Sequence, residues 1–151
     1  MVSRLAKEPA VGLVVVTHGS AADCMLDAVA GILGPLPGSQ AVPISMKEQF
    51  DETLERIAGA CEKADQGGGV VLLVDLQGSS PYQACMAMMD GSRQAEVVCG
   101  VNLAMLLKAA TVDRCDVRPV ELAELLRDVG RRSIRLGSEL TGRVSLEDKQ
   151  R

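Results

Sequence analysis

The fold is decided by a stretch near the start of the chain that reads Val11-Gly12-Leu13-Val14-Val15-Val16-Thr17-His18-Gly19-Ser20. A short apolar run rich in β-branched residues is typical of a strand that is buried on both faces of a parallel sheet. His18 is the only histidine in the chain and follows this run directly. Open α/β sheets bind ligands at the carboxyl ends of their strands, so the sequence places its one imidazole at the usual functional edge.

Strands and helices alternate along the rest of the chain. Apolar segments predict strands over residues 11–17, 40–44, 70–75 and 95–101. Helical spacing of apolar residues predicts helices over residues 21–33, 50–61, 81–89 and 103–110, with a last helix from residue 119. Such alternation indicates an α/β fold with a doubly wound, mainly parallel sheet of four strands flanked by helices.

Several residues mark expected helix ends. Ser20 is predicted to cap the first helix, and Asn102 is predicted to cap the fourth. Pro81 suits the first position of the third helix, and Pro119 suits the first position of the last. Gly130 is expected to weaken the continuation of that last helix.

Length and composition indicate a single domain. The chain has 151 residues, of which 47% are apolar, and this is enough for one substantial core. We expect a flexible arm over residues 1–10, the domain over residues 11–140 and a polar tail over residues 141–151. A four-stranded sheet leaves edges to protect, which makes a dimer a reasonable expectation.

The composition also argues against several classes of protein. The net charge is −4, and Phe50 and Tyr82 are the only aromatic residues, so nucleic-acid binding is not expected. The start of the chain is too polar for a signal peptide, and no apolar run is long enough to span a membrane. The five cysteines are odd in number and lack C-x-x-C spacing, so we interpret them as reduced, mostly buried thiols of a cytoplasmic protein.

Two of the predicted strands end in polar residues that can work together. The first ends in His18 and the third ends in Asp75. If these strands are neighbours, the Asp75 carboxylate can accept the Nδ1 proton of His18 and leave the Nε2 lone pair facing outward. A neutral imidazole held in this way is a nucleophile.

The residues around this pair suggest that the group attacked is a phosphoryl group. Gly19 and Ser20 begin one helix, and Gly78, Ser79 and Ser80 precede another. Both turns offer backbone N–H groups, hydroxyls and a helix dipole that favours an anion. No metal ion and no organic cofactor is needed for such chemistry.

Each feature also has a plain structural explanation. A histidine at a strand end can simply bond a backbone carbonyl, and Asp75 can be a turn residue before Pro81. Only the joint occurrence of both motifs, at the ends of two strands, favours a functional site.

At these residues the chain resembles the IIA component of the mannose-type sugar phosphotransferase system. The resemblance covers roughly residues 11–140. It depends on three segments, which are Val14-Val15-Val16-Thr17-His18-Gly19, Val71-Leu72-Leu73-Val74-Asp75 with Gly78-Ser79-Ser80-Pro81-Tyr82-Gln83-Ala84, and Gly100-Val101-Asn102-Leu103-Ala104-Met105-Leu106.

The resemblance implies a phosphoryl carrier of sugar uptake. His18 would accept a phosphoryl group from the histidine-phosphorylated carrier HPr and pass it to a IIB partner, while the membrane components IIC and IID move the sugar. Asp75 would orient the histidine, and Ser80 would contact the phosphoryl group. Members of this family are typically homodimers in which a strand exchanged between subunits completes the sheet edge, so an antiparallel edge strand is expected here too.

The loop after the third strand departs from the family pattern, which often reads D-x-W-G-G-S-P or D-x-F-G-G-S-P. Here Gln77 replaces the aromatic residue and Ser79 replaces the second glycine. A left-handed backbone at that glycine position would cost Ser79 roughly 1 kcal/mol or more.

Two other functions stay open on sequence grounds. Small chelatases of tetrapyrrole biosynthesis also have an H-G-S sequence after a first strand, although a metal site with one imidazole and no second histidine would be poor. The chain can also be a regulatory module that is phosphorylated on His18 without passing the group on.

Overall fold

The computed structural model describes residues 9–90 and 94–141. Its centre is one sheet of four parallel strands in the order β2-β1-β3-β4. The strands are β1 (Gly12–His18), β2 (Ser39–Ile44), β3 (Val70–Val74) and β4 (Ala95–Cys99). The predicted fold class is confirmed, and so is the adjacency of the first and third strands.

Helices cover both faces of the sheet. They are α1 (Ala21–Leu33), α2 (Phe50–Ala64), α3 (Ser80–Ala87), α4 (Leu103–Thr111), α5 (Pro119–Ser133) and α6 (Gly137–Leu140), and a 3₁₀ turn (Met88–Asp90) follows α3. One core layer lies between the sheet and α1, α4 and α5, and the other lies between the sheet and α2 and α3.

Strand β1 is buried on both faces, as its sequence predicts. Leu13 and Val15 belong to the layer under α1, α4 and α5, and Val14 and Val16 belong to the layer under α2 and α3. All four side chains are fully buried. Since full burial of one such side chain stabilises a fold by roughly 1.5–3 kcal/mol, this strand anchors both layers.

The strand ends differ slightly from the sequence prediction. Strand β1 includes His18, and β3 stops at Val74, so that Asp75 is the first residue of the following loop. Strand β4 ends at Cys99 rather than at residue 101. It stops because Gly100 has φ +83°, and the N–H groups of Gly100 and Val101 both donate to the carbonyl of Val74.

Three of the helix predictions need correction. Ser20 makes no side-chain capping bond to α1. Pro81 is the second residue of α3, because Ser79 is the N-cap and Ser80 begins the helix. Gly130 does not end α5, which continues to Ser133. A Cβ atom at Gly130 would lie 2.7 Å from the Met105 side chain, so the glycine serves the packing of α5 on α4.

The other helix-end predictions agree with the structure. Asn102 caps α4, since its Oδ1 accepts a hydrogen bond from the N–H of Met105 at 3.1 Å. Pro119 is the first residue of α5.

The predicted arm and tail lie outside the described residues, apart from Pro9, Ala10 and Thr141. Ala10 pairs with Cys115 in an isolated antiparallel bridge. The described residues contain no disulfide, and the burial of the cysteines is more varied than predicted, since Cys24 is exposed. None of the helices in the described part of the chain is long and apolar enough to cross a membrane.

Gly12 lets β1 lie close to the end of α2. A Cβ atom added at this position would lie 2.3 Å from the carbonyl oxygen of Ala64. Such a contact is with backbone, which cannot move aside as the end of a flexible side chain can. The strand that ends in His18 therefore depends on glycine at its start.

We expect Gly12→Ala to lower the free energy of unfolding by about 2 kcal/mol or more, because the strand and helix must separate. Urea denaturation followed by circular dichroism measures the change. Gly59→Ala is the matched control, because a Cβ at this α2 residue meets nothing within 4 Å, and we expect it to be neutral or stabilising by up to about 1 kcal/mol. Equal stability of the two variants would contradict the close approach.

Candidate functional site

The carboxyl ends of β1 and β3 bring His18 and Asp75 into direct contact. The Nδ1 atom of His18 lies 3.1 Å from Oδ1 and 3.0 Å from Oδ2 of Asp75. The backbone N–H of His18 also donates to Asp75 Oδ2 at 2.8 Å. One carboxylate therefore holds both the backbone and the ring of the histidine.

This contact determines which nitrogen of the ring is available. A carboxylate accepts hydrogen bonds and favours a proton on the nitrogen that faces it, which here is Nδ1. The Nε2 atom then keeps its lone pair. The His18 side chain is 33% exposed and that of Asp75 is 25% exposed, so the ring is held and still reachable.

Thr17 joins this strand end to helix α1. Its side chain is fully buried, and its Oγ1 accepts a hydrogen bond from the N–H of Ala22 at 2.7 Å. Gly19 has φ +56°, and its N–H donates to the carbonyl of Ile44 at 2.8 Å. These bonds fix the turn that leads from His18 into α1.

The loop after β3 is built differently from what the family pattern suggested. Gly78 takes the left-handed backbone, with φ +80°, whereas Ser79 is extended, with φ −80° and ψ 167°. Ser79 therefore bears no left-handed strain. Its Oγ donates to the carbonyl of Leu76 at 2.7 Å and accepts from the N–H of Tyr82 at 3.3 Å.

The remaining predicted site residues are open to solvent. Gly19, Ser20, Gly78 and Ser80 are exposed. The hydroxyls of Ser20 and Ser80 form no hydrogen bond within the described parts of the chain, whereas the hydroxyl of Ser79 is occupied by its cap. Both helix starts thus keep one exposed hydroxyl.

A cleft beside the turn at Gly19 contains two residues that the sequence did not suggest. It has a volume of about 610 Å³, and Met46 and Lys47 from the loop after β2 line it together with Ser20 and Asp23. Met46 is 85% exposed. The sequence lacks a cation next to either motif, and the pairing of β1 with β2 brings Lys47 close to Gly19 and Ser20.

Thiols lie beneath the site. Burial, and then the neighbouring Cys61, Cys99 and Asp75, raise the pKa of Cys85 to about 12. Cys85 therefore stays a protonated, poorly nucleophilic thiol at neutral pH. Among the described residues, no group of three or more His, Cys, Asp and Glu side chains is arranged to hold a metal ion.

Most of the chain matches the sequence profile of a known family. The profile of the EIIA-man family, described as PTS system fructose IIA component, matches residues 12–124. The chain belongs to this family. The match includes His18 and Asp75 and all four strands, so the resemblance to mannose-type IIA components is confirmed.

Two proteins that are similar in sequence agree with this assignment. The PTS system mannose-specific EIIAB component of Escherichia coli K12 is 28% identical over 125 residues, which are 83% of this chain and 39% of that protein. The PTS system sorbose-specific EIIA component of Lacticaseibacillus casei is 28% identical over 98 residues, which are 65% of this chain and 70% of that protein. The chain thus spans well under half of the Escherichia coli relative.

Solved structures share the fold. A mannose/sorbose-specific IIA subunit of Enterococcus faecalis superposes with a TM-score of 0.75 at 28% identity, covering 84% of this chain and 94% of that one. The phosphotransferase system component EIIA of Streptococcus agalactiae superposes with a TM-score of 0.78 at 18% identity, covering 85% of this chain and 98% of that one. The first agrees in sequence as well, and the second shows the likeness of fold alone.

The contact between His18 and Asp75 predicts a specific tautomer. When the His18 imidazole is uncharged, we expect ¹⁵N NMR of the ring to show a protonated Nδ1 and an unprotonated Nε2. Asp75→Asn should weaken this preference, since an amide supplies only one acceptor in place of two.

Asp23→Asn is the control, because this exposed α1 residue lines the neighbouring cleft without bonding the ring. It should leave the His18 ring spectrum unchanged. An unprotonated Nδ1 in the unsubstituted protein would show that the carboxylate does not determine the tautomer.

Proposed function

We propose that this chain is a phosphoryl carrier of a sugar phosphotransferase system. His18 accepts a phosphoryl group from phospho-HPr and passes it to a IIB component during sugar uptake. The observation that supports this most directly is that Asp75 contacts both the backbone N–H and the ring Nδ1 of His18, which leaves Nε2 as the outward nitrogen. Membership of the family supports the reaction class.

The transfer is an in-line displacement at phosphorus. The Nε2 lone pair of His18 forms a bond to phosphorus while the bond from phosphorus to the donor's histidine nitrogen breaks and its electron pair returns to that ring. The proton on Nδ1 of His18 stays in place. The attacking ring of His18 becomes positively charged, and the Asp75 carboxylate stabilises that charge and fixes the direction of attack.

The two exposed turns hold the phosphoryl oxygens. The backbone N–H of Gly78 and the hydroxyls of Ser20 and Ser80 suit an anion at the start of a helix. The N–H of Gly19 is bonded to the carbonyl of Ile44, so Gly19 contributes by shaping the turn. Ser79 contributes through its backbone N–H only, because its hydroxyl caps α3. A neutral set of donors suits a relay, since it binds the group and still releases it.

The partners and location follow from this relay. HPr supplies the group, a IIB component receives it, and the membrane components IIC and IID are served indirectly, so the carrier works in the cytoplasm. The reaction needs no resident metal or organic cofactor.

We further propose that the chain forms a homodimer by exchanging a strand. Residues 131–141 are all exposed, and among them Ile134 is 77% and Leu136 is 65% exposed. Residues 134–136 separate α5 from α6, and the backbone is extended at Ile134, with φ −83° and ψ 106°, and at Leu136, with φ −80° and ψ 134°. Such a segment suits the unpaired edge of β4 in a second copy.

Labelling with phospho-HPr tests the acceptor. We expect the unsubstituted protein to become phosphorylated, His18→Ala to abolish labelling, and Asp75→Ala to slow it by about a hundredfold, because one charge-stabilising contact is lost. Single-turnover transfer of ³²P measures the rates.

Cys85→Ser is the matched control, since it alters a group beneath Asp75 without touching the ring, and it should label at the unsubstituted rate. Labelled protein is then mixed with a purified IIB component. Labelling of His18→Ala would refute the acceptor, and failure to pass the group on would show a regulatory module rather than a relay.

The proposed dimer is tested by measuring the molecular mass of the protein in solution by analytical ultracentrifugation. We expect the unsubstituted chain to sediment as a dimer, and the double variant Ile134→Glu, Leu136→Glu to sediment as a monomer, because buried carboxylates at the new interface are costly. Met46→Glu, at an exposed residue beyond the opposite edge strand β2, should stay dimeric. A monomeric unsubstituted chain at micromolar concentration would contradict the exchange.

A further inference from the structure

We propose that Thr17 is a positioning residue for phosphoryl transfer. By capping α1 from within the sheet, its hydroxyl leaves the hydroxyl of Ser20 unbonded and available to the phosphoryl group. The inference rests on the proposed function and adds a residue to it that acts through Ser20 rather than by touching the phosphoryl group.

The side chain that caps α1 belongs to a strand residue, Thr17, and not to the N-cap residue of the helix. A helix is ordinarily capped by the side chain of its N-cap residue, which accepts from the second or third N–H of the helix. In α1 the N-cap is Ser20 and the second N–H belongs to Ala22, yet the acceptor at 2.7 Å is Thr17 Oγ1. Thr17 thus occupies the bond that Ser20 would otherwise make.

The backbone conformation of Ser20 agrees with the finding that Thr17, and not Ser20, caps α1. Its φ of −83° and ψ of 8° are not the extended values typical of a capping residue, and its side chain makes no capping bond. At α3 the N-cap Ser79 has extended values and caps with its own hydroxyl. There the next residue, Ser80, keeps the exposed hydroxyl.

Burial makes the Thr17 bond hard to replace. Both Thr17 and Ala22 are fully buried, so water cannot take over if the hydroxyl is removed. A buried N–H left without an acceptor is destabilising, and a nearby hydroxyl that can reach it will turn toward it. Ser20 is the N-cap residue of the same helix, so we expect its hydroxyl to turn inward and leave the phosphoryl site.

A double-mutant cycle of Thr17→Val and Ser20→Ala tests this coupling. In the unsubstituted background we expect Ser20→Ala to slow transfer from phospho-HPr about tenfold, as for one lost hydrogen bond to a charged group, with little change in the urea midpoint. In the Thr17→Val background, Ser20→Ala should leave the transfer rate as it is in Thr17→Val alone and should lower the urea midpoint below that of Thr17→Val. Thr17→Ser, which restores the hydroxyl, should restore the unsubstituted pattern.

Thr53→Val is the matched control, because Thr53 is also buried and its hydroxyl donates to Glu48. It should lower the urea midpoint and leave the tenfold effect of Ser20→Ala on transfer intact. If Ser20→Ala slows transfer equally with and without the Thr17 hydroxyl, or does not slow it at all, the inference is overturned while labelling of His18 still supports the relay. If the unsubstituted protein is not labelled, the relay and the inference both fail.

Discussion

The site depends on one carboxylate that makes two kinds of contact with one histidine. Asp75 accepts from the backbone N–H of His18 at 2.8 Å and meets Nδ1 of the ring at 3.0 Å. The first contact fixes where the residue lies, and the second fixes how the ring is turned. A single ionised acceptor thereby determines which nitrogen faces outward, and no cation among residues 9–90 and 94–141 forms an ion pair or hydrogen bond with the ring.

The sheet makes this contact possible. Strands β1 and β3 are hydrogen-bonded neighbours, with Val16 opposite Val74, and the N–H of Asp75 donates to the carbonyl of Val16 at 3.2 Å. Both strands are fully buried up to these residues. Their position is set by the two core layers, so the distance between the carboxylate and the ring follows from aliphatic packing and not from a flexible loop. Rigid support of this kind is what a nucleophile with one productive direction needs.

Much of this could be read from the sequence, since alternating apolar runs and helical spacing predict the parallel sheet and its two layers. The pair of His18 and Asp75 could be named because parallel strands end at one edge. The details of capping could not be predicted, because they depend on which hydroxyl lies nearest in space. The sequence shows Thr17 only as a residue of a buried strand and gives no sign that it caps α1. The family pattern predicts a left-handed backbone at Ser79, whereas the structure has that conformation at Gly78. Lys47 and Met46 reach the site only through the pairing of β2 with β1.

The most direct test of the central claim is to identify the nitrogen that becomes phosphorylated. Protein labelled with ¹⁵N in the His18 ring is phosphorylated by phospho-HPr, and its ³¹P–¹⁵N couplings are recorded. Because Asp75 occupies Nδ1, the account predicts phosphorus bonded to Nε2, with the Nδ1 proton retained. A phosphoryl group on Nδ1 would mean that the ring turns away from the carboxylate, and it would contradict the account.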